Sequence, residues 1–132
     1  MSKPDSKDTS GAADRLADFE AYRARMNHRI LEEKNHLGIK RFFSLDAAAY
    51  RDGALDARTK ELLGLVASLV LRCNDCVDYH LAQCVEAGFT DDEIDEALNV
   101  GLVVGGSIVI PHLRRAVETV DLLRAREKSK EA

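Results

Sequence analysis

No stretch of this 132-residue sequence is apolar for long enough to span a bilayer, which takes roughly 20 residues. The most apolar segment, Val100 to Pro111, is shorter and follows Asp95 and Glu96; it reads as a core or interface segment, and no membrane association is expected. No basic, aromatic-interleaved stripe is present, and the formal charge is −4. Without clustered Lys and Arg to displace counterions, general nucleic-acid binding is excluded. The first ten residues are polar throughout and lack a secretory h-region, so a cytoplasmic location is expected. Strand-like alternation of useful length and Asn-Gly hairpin turns are also missing, which points to an all-α fold. Cysteine is scarce, with three residues. This suits a reducing compartment, where lasting structural disulfides are rare and a close pair is more often catalytic or metal-binding.

What is present is the composition of a globular protein, 45% hydrophobic and 32% charged, at a length that supports one core. Residues 1–11 read as a mobile polar tail and 12–132 as one compact domain of about six helices. Leu16, Phe19, Tyr22, Met26, Ile30 and Leu31 recur at helical steps between Ala12 and Asn35, predicting one long helix that ends at His36-Leu37-Gly38. Ser44 is expected to cap a short helix through Tyr50 that Gly53 stops. Asp56 opens a Leu-rich helix to about Arg72, and Asn74 is expected to cap the next, which ends at Gly88. Thr90 and Glu93 have capping-box spacing, and Pro111 suits the first turn of the last helix. Gly101 to Ile110 is apolar on every side. A helix of that kind needs cover all round, so an oligomer interface is expected there, with glycines permitting close contact.

The chemistry concentrates in Cys73-Asn74-Asp75-Cys76-Val77-Asp78-Tyr79-His80. If the chain is helical from Asn74, Cys76 and His80 lie four residues apart on one face, with a rise of about 6 Å, and their side chains can meet. Cys73 sits just before the helix and Cys76 in its first turn, where free amides and the helix dipole stabilise a thiolate. A thiolate attacks peroxides or disulfides, and the three-residue spacing lets the second sulfur close a ring. Zinc binding by Cys73, Cys76, His80 and Cys84 competes. Cys76 and Cys84 are roughly 12 Å apart along a continuous helix, however, too far for one tetrahedral ion. Cys84 reads as an apolar filler, with a regulatory disulfide as the other reading. Glu61 admits two readings: a solvent-facing carboxylate, or a buried partner that orients His80 and accepts the proton of Cys76.

From about Leu55 to Leu123 the chain resembles the alkylhydroperoxidase D and carboxymuconolactone decarboxylase superfamily. The resemblance rests on Glu61, Cys73-Asn74-Asp75-Cys76, His80, Ala87-Gly88-Phe89-Thr90-Asp91-Asp92-Glu93-Ile94 and the apolar glycine-containing helix. It implies an all-helical fold and a cofactor-free thiol peroxidase acting on small hydroperoxides. Cys76 would attack the peroxide, Cys73 would resolve the sulfenic acid as a disulfide, and His80 with Glu61 would relay the proton. It further implies homo-oligomers, commonly trimers or hexamers, and reduction by a dithiol or redox-protein partner. The peroxidase that names that branch has two related halves, whereas this chain carries one copy of the motif, and Asp75 stands where some relatives have histidine. A lactone-decarboxylating lyase and a non-catalytic redox-sensing oligomer are the alternatives.

Overall fold

The computed structural model describes residues 13–131, and the tail expected over 1–11 lies outside the described residues. Six α-helices and no strand occupy the described residues: α1 (Ala13–His28), α2 (Leu37–Ala49), α3 (Ala57–Val70), α4 (Asn74–Glu86), α5 (Asp91–Gly105) and α6 (Ile110–Glu131). The all-α expectation therefore holds. The long first helix does reach the mid-thirties, but its last six residues, Arg29–Lys34, widen into a π-helical turn. Asn35 closes that turn in the left-handed region (φ 55°), with its N–H reaching the Ile30 carbonyl at 3.3 Å.

The start of α2 departs from expectation. Its cap is His36, whose Nδ1 accepts the Ile39 N–H, so the helix begins seven residues before Ser44, which lies in its interior. A histidine ring nitrogen can stand in for the usual hydroxyl or carboxylate when the flanking backbone is extended, as it is here (ψ 124°). Other signals hold. Asp56 caps α3 by accepting the Thr59 N–H at 2.7 Å, Thr90 and Glu93 form a reciprocal capping box at α5, and Gly88 takes a positive φ of 89°.

The core forms where α3 packs on α4 and α5 and α6 closes over α4. Leu65 and Leu69 of α3, Leu81 and Cys84 of α4, Ile94 and Leu98 of α5, and Ala116 of α6 are buried together. Each large aliphatic side chain so buried contributes roughly 1.5–3 kcal/mol. Gly101 lets α5 approach α3, because a Cβ there would lie 2.9 Å from Leu69 Cδ2. The segment expected to be one apolar helix is instead broken at Gly106 (φ 82°) and continues as a short 3-10 turn, Ser107–Val109. Gly101 and Val109 turn inward, while Val103, Val104 and Ile108 remain exposed. The close contact made by Gly101 is thus within the chain.

Among the described residues no helix is long and apolar enough to cross a membrane.

Candidate active site

The site lies between α3 and α4, which run antiparallel across a tight reversal. At its apex Arg72 adopts a left-handed backbone (φ 60°) and the Cys73 N–H bonds back to the Ser68 carbonyl at 3.0 Å. A non-glycine residue there costs roughly 1–2 kcal/mol, and the reversal it permits brings the faces of the two helices together. Cys73, not Asn74, is the cap of α4. Its backbone is extended and its sulfur accepts the Cys76 N–H at 3.3 Å. The Asn74 side chain is engaged elsewhere, 2.8 Å from His112 Nδ1 in the first turn of α6.

Cys73 and Cys76 are joined as a disulfide, with Cα atoms 5.3 Å apart. The two sulfurs are not equivalent. Cys73 is half-buried and holds the amide of the helix terminus, whereas Cys76 is exposed. The terminus therefore favours a thiolate on Cys73 more directly than on Cys76, which differs from the expectation for the first turn.

Glu61 does not face solvent: it is largely covered and turned to His80. Its Oε2 lies 2.8 Å from His80 Nδ1, and the side chains are only 13% and 10% exposed. An ionised carboxylate can only accept, so Nδ1 is the donor in this contact, and in a neutral imidazole Nε2 is then the acceptor. Tyr50, just past the end of α2, places its hydroxyl 3.4 Å from that Nε2. Burial, then the negative charges of Glu61 and Asp46, push the Tyr50 phenol above its ordinary value. Gly64 makes this convergence possible. A Cβ there would lie 2.7 Å from both His80 Cε1 and the Tyr50 hydroxyl, closer than non-bonded atoms tolerate.

Cys76, His80 and Tyr50 open onto one cavity of about 350 Å³, walled by Phe19, Tyr22 and Met26 of α1 and by Tyr79. Its charged residues are Arg23, Asp46 and Asp75, and the Arg23 guanidinium lies over the Tyr79 ring, 4.4 Å from its centroid. Cys84 is outside this space. It is a free, fully buried cysteine, and burial followed by the charge of Glu61 pushes its thiol up to about 12, so it stays protonated at neutral pH. Among the described residues no three His, Cys, Asp or Glu side chains gather as a metal site.

Residues 39–119, well over half the chain, match the carboxymuconolactone decarboxylase family. The chain belongs to that family. The assignment is consistent with the alkylhydroperoxidase D-like superfamily. A solved carboxymuconolactone decarboxylase family protein of Thermotoga maritima, whose description suggests a part in an antioxidative response, is 56% identical. The match covers 87% of this chain and 97% of that one, with a TM-score of 0.81. A family protein of Legionella pneumophila, solved in its apo form, is 28% identical at a TM-score of 0.71, covering 85% and 96% of the two chains. Uncharacterized protein 4 in the cox locus of Paracoccus denitrificans is 30% identical over 80 residues, 61% of this chain and 72% of that protein.

Three site features escape sequence reasoning. Tyr50 is the C-cap of a surface helix and carries no local signal. Gly64 reads as an ordinary interruption of a Leu-rich helix, although a glycine one turn from a buried carboxylate is a detectable hint of close approach. Phe19, Tyr22 and Met26 fit the apolar face of α1, but all three line the cavity, while Leu16 is buried in the core and Phe19 packs against it.

Proposed function

We propose that this protein is a cofactor-free thiol peroxidase that reduces small organic hydroperoxides through Cys76 and Cys73. The observation that carries the reading is the Glu61–His80 contact beside an exposed Cys76 on a shared cavity. His80 Nε2, with Nδ1–H held by the carboxylate, is suited to take the Cys76 proton. The thiolate then attacks the terminal peroxide oxygen: an S–O bond forms, the O–O bond breaks, and the alkoxide leaves as alcohol after gaining one proton. Cys73 attacks the sulfenic sulfur, water departs, and the disulfide results. In total two thiols and one hydroperoxide give one disulfide, one alcohol and one water. Reduction of the disulfide needs an external dithiol or redox protein. A cytoplasmic location suits that supply.

Phe19, Tyr22, Met26 and Tyr79 in the walls suit the organic group of an alkyl or aryl hydroperoxide. Two carboxylates against one guanidinium oppose a multiply charged lactone carboxylate, which speaks against the lyase alternative. The antioxidative role suggested for the Thermotoga relative agrees with a peroxidase. Glu61→Gln removes the charge that supports an imidazolium while keeping a hydrogen-bonding side chain. Turnover of cumene hydroperoxide with dithiothreitol should fall by about 100-fold in that variant, measured as peroxide consumed at pH 7. Full activity would remove the relay from the reading.

We further propose that the protein works as a homo-oligomer, a trimer or hexamer. No residue of α2 is buried, and Phe42 and Leu45 on it, like Val103 and Val104 on α5, are exposed. Apolar faces of this kind are rare on monomers. Sedimentation velocity should give a mass of three or six chains, and a monomer at micromolar concentration would overturn this.

A further inference from the structure

We propose that Tyr50 is the acid that protonates the leaving oxygen, recharged by His80; the proposal rests on the peroxidase reading. The attack leaves an alkoxide, a strong base, in a cavity whose walls include Phe19, Tyr22, Met26 and Tyr79 beside the carboxylates of Asp46 and Asp75. Such a leaving group departs readily only if a proton reaches it as the O–O bond breaks. Nε2 of His80 holds the proton taken from Cys76, yet the hydroxyl hydrogen-bonded to that nitrogen, at 3.4 Å, is Tyr50's. The phenol lines the same cavity as Cys76. It therefore sits between the proton's store and the substrate space.

The arrangement is built rather than incidental. Gly64 is the residue whose missing side chain leaves room for the His80 ring and the Tyr50 hydroxyl together. The two rings lie 5.4 Å apart between centroids, tilted by 34°. Burial and neighbouring carboxylates raise the phenol's pKa, which favours the hydroxyl as the donor to Nε2 when the imidazole is neutral. Once Nε2 is protonated the bond reverses direction: Nε2–H donates to the phenol oxygen and the phenol O–H turns to the substrate. The transfer balances. The phenol gives its proton to the alkoxide, takes one from Nε2, and ends as it began, while the imidazole returns to neutral and the sulfur is oxidised to sulfenic acid. Tyr79 stands edge-on to His80 at 5.2 Å, with Arg23 over its face. It is a wall of the cavity.

The test compares two oxidants in Tyr50→Phe, which removes one oxygen and keeps the ring. Cumene hydroperoxide must leave as an alkoxide and needs the proton, whereas peracetic acid leaves as acetate and does not. Rates of thiol loss by the pre-reduced protein are followed by stopped flow. The ratio of the cumene hydroperoxide rate to the peracetic acid rate should fall by roughly 100-fold in Tyr50→Phe, the lower end of what a positioned acid contributes. An unchanged ratio overturns the role of Tyr50, whether both rates stay constant or both fall together, as loosened packing would make them. A wild-type protein inert to both oxidants overturns the peroxidase reading itself, and the proposal with it.

Discussion

Cys76→Ser should react with an alkyl hydroperoxide no faster than an unrelated buried thiol, a loss of more than about 1,000-fold, as expected when a nucleophile is removed. The matched variant, Cys73→Ser, should behave differently. Its Cys76 can still attack, so one equivalent of peroxide is consumed, and the reaction then stops at a sulfenic acid that dimedone traps. The asymmetry follows from position. Cys76 is the exposed sulfur on the cavity with His80, while Cys73 is drawn back as the cap of α4. A thiolate on Cys73 gains from the Cys76 amide, which suits a group that closes the disulfide and later leaves from it. The opposite pattern, with Cys73→Ser inert and Cys76→Ser competent for one turnover, would exchange the two roles.

Asp78→Ala should lower stability by about 3 kcal/mol, read as a reduced urea midpoint. Asp78 is fully buried on α4. It accepts Thr119 Oγ1 at 2.6 Å and Arg15 Nη1 at 3.0 Å, and Arg115 Nη2 lies 3.7 Å away. Removing the acid strips both guanidiniums of their buried counter-charge and leaves Arg15 with the exposed Glu118 carboxylate at 3.0 Å. Arg115 already has a buried Nε without a partner. Breaking a buried pair in this way typically costs 3–5 kcal/mol, and the lower end applies because both arginines keep some solvent. There is a functional consequence. Arg15 also donates to Thr119 at 2.9 Å, so the network ties α1 to α4 and α6, and α1 supplies one wall of the cavity. Cumene hydroperoxide turnover should weaken through KM before the fold is lost.

Helix number, the caps at Asp56 and Thr90, the stop at Gly88 and the last helix at Pro111 were legible because each depends on a few adjacent residues. The start of α2 was not, since a histidine cap is uncommon and Ser44 offered a more ordinary one. Asn74 misled for a related reason. Its side chain suits a cap, but a partner 38 residues away claims the oxygen, and sequence pattern does not show such competition. In the site, the Cys73, Cys76 and His80 spacing was readable because it lies on one helix. The burial of Glu61 depended on the left-handed turn at Arg72, where no glycine announces a reversal. Tyr50 and Gly64 meet His80 only through the packing of three elements, and nothing local to either residue foretells it.

The most direct measurement of the central claim is a single turnover of the reduced protein with one equivalent of cumene hydroperoxide. The products are then quantified together with the remaining thiols. The account requires one equivalent of the corresponding alcohol, loss of two thiols with Cys73 linked to Cys76 in the peptide map, and Cys84 still reduced. Unconsumed hydroperoxide, or a disulfide that forms without matching alcohol, would contradict it.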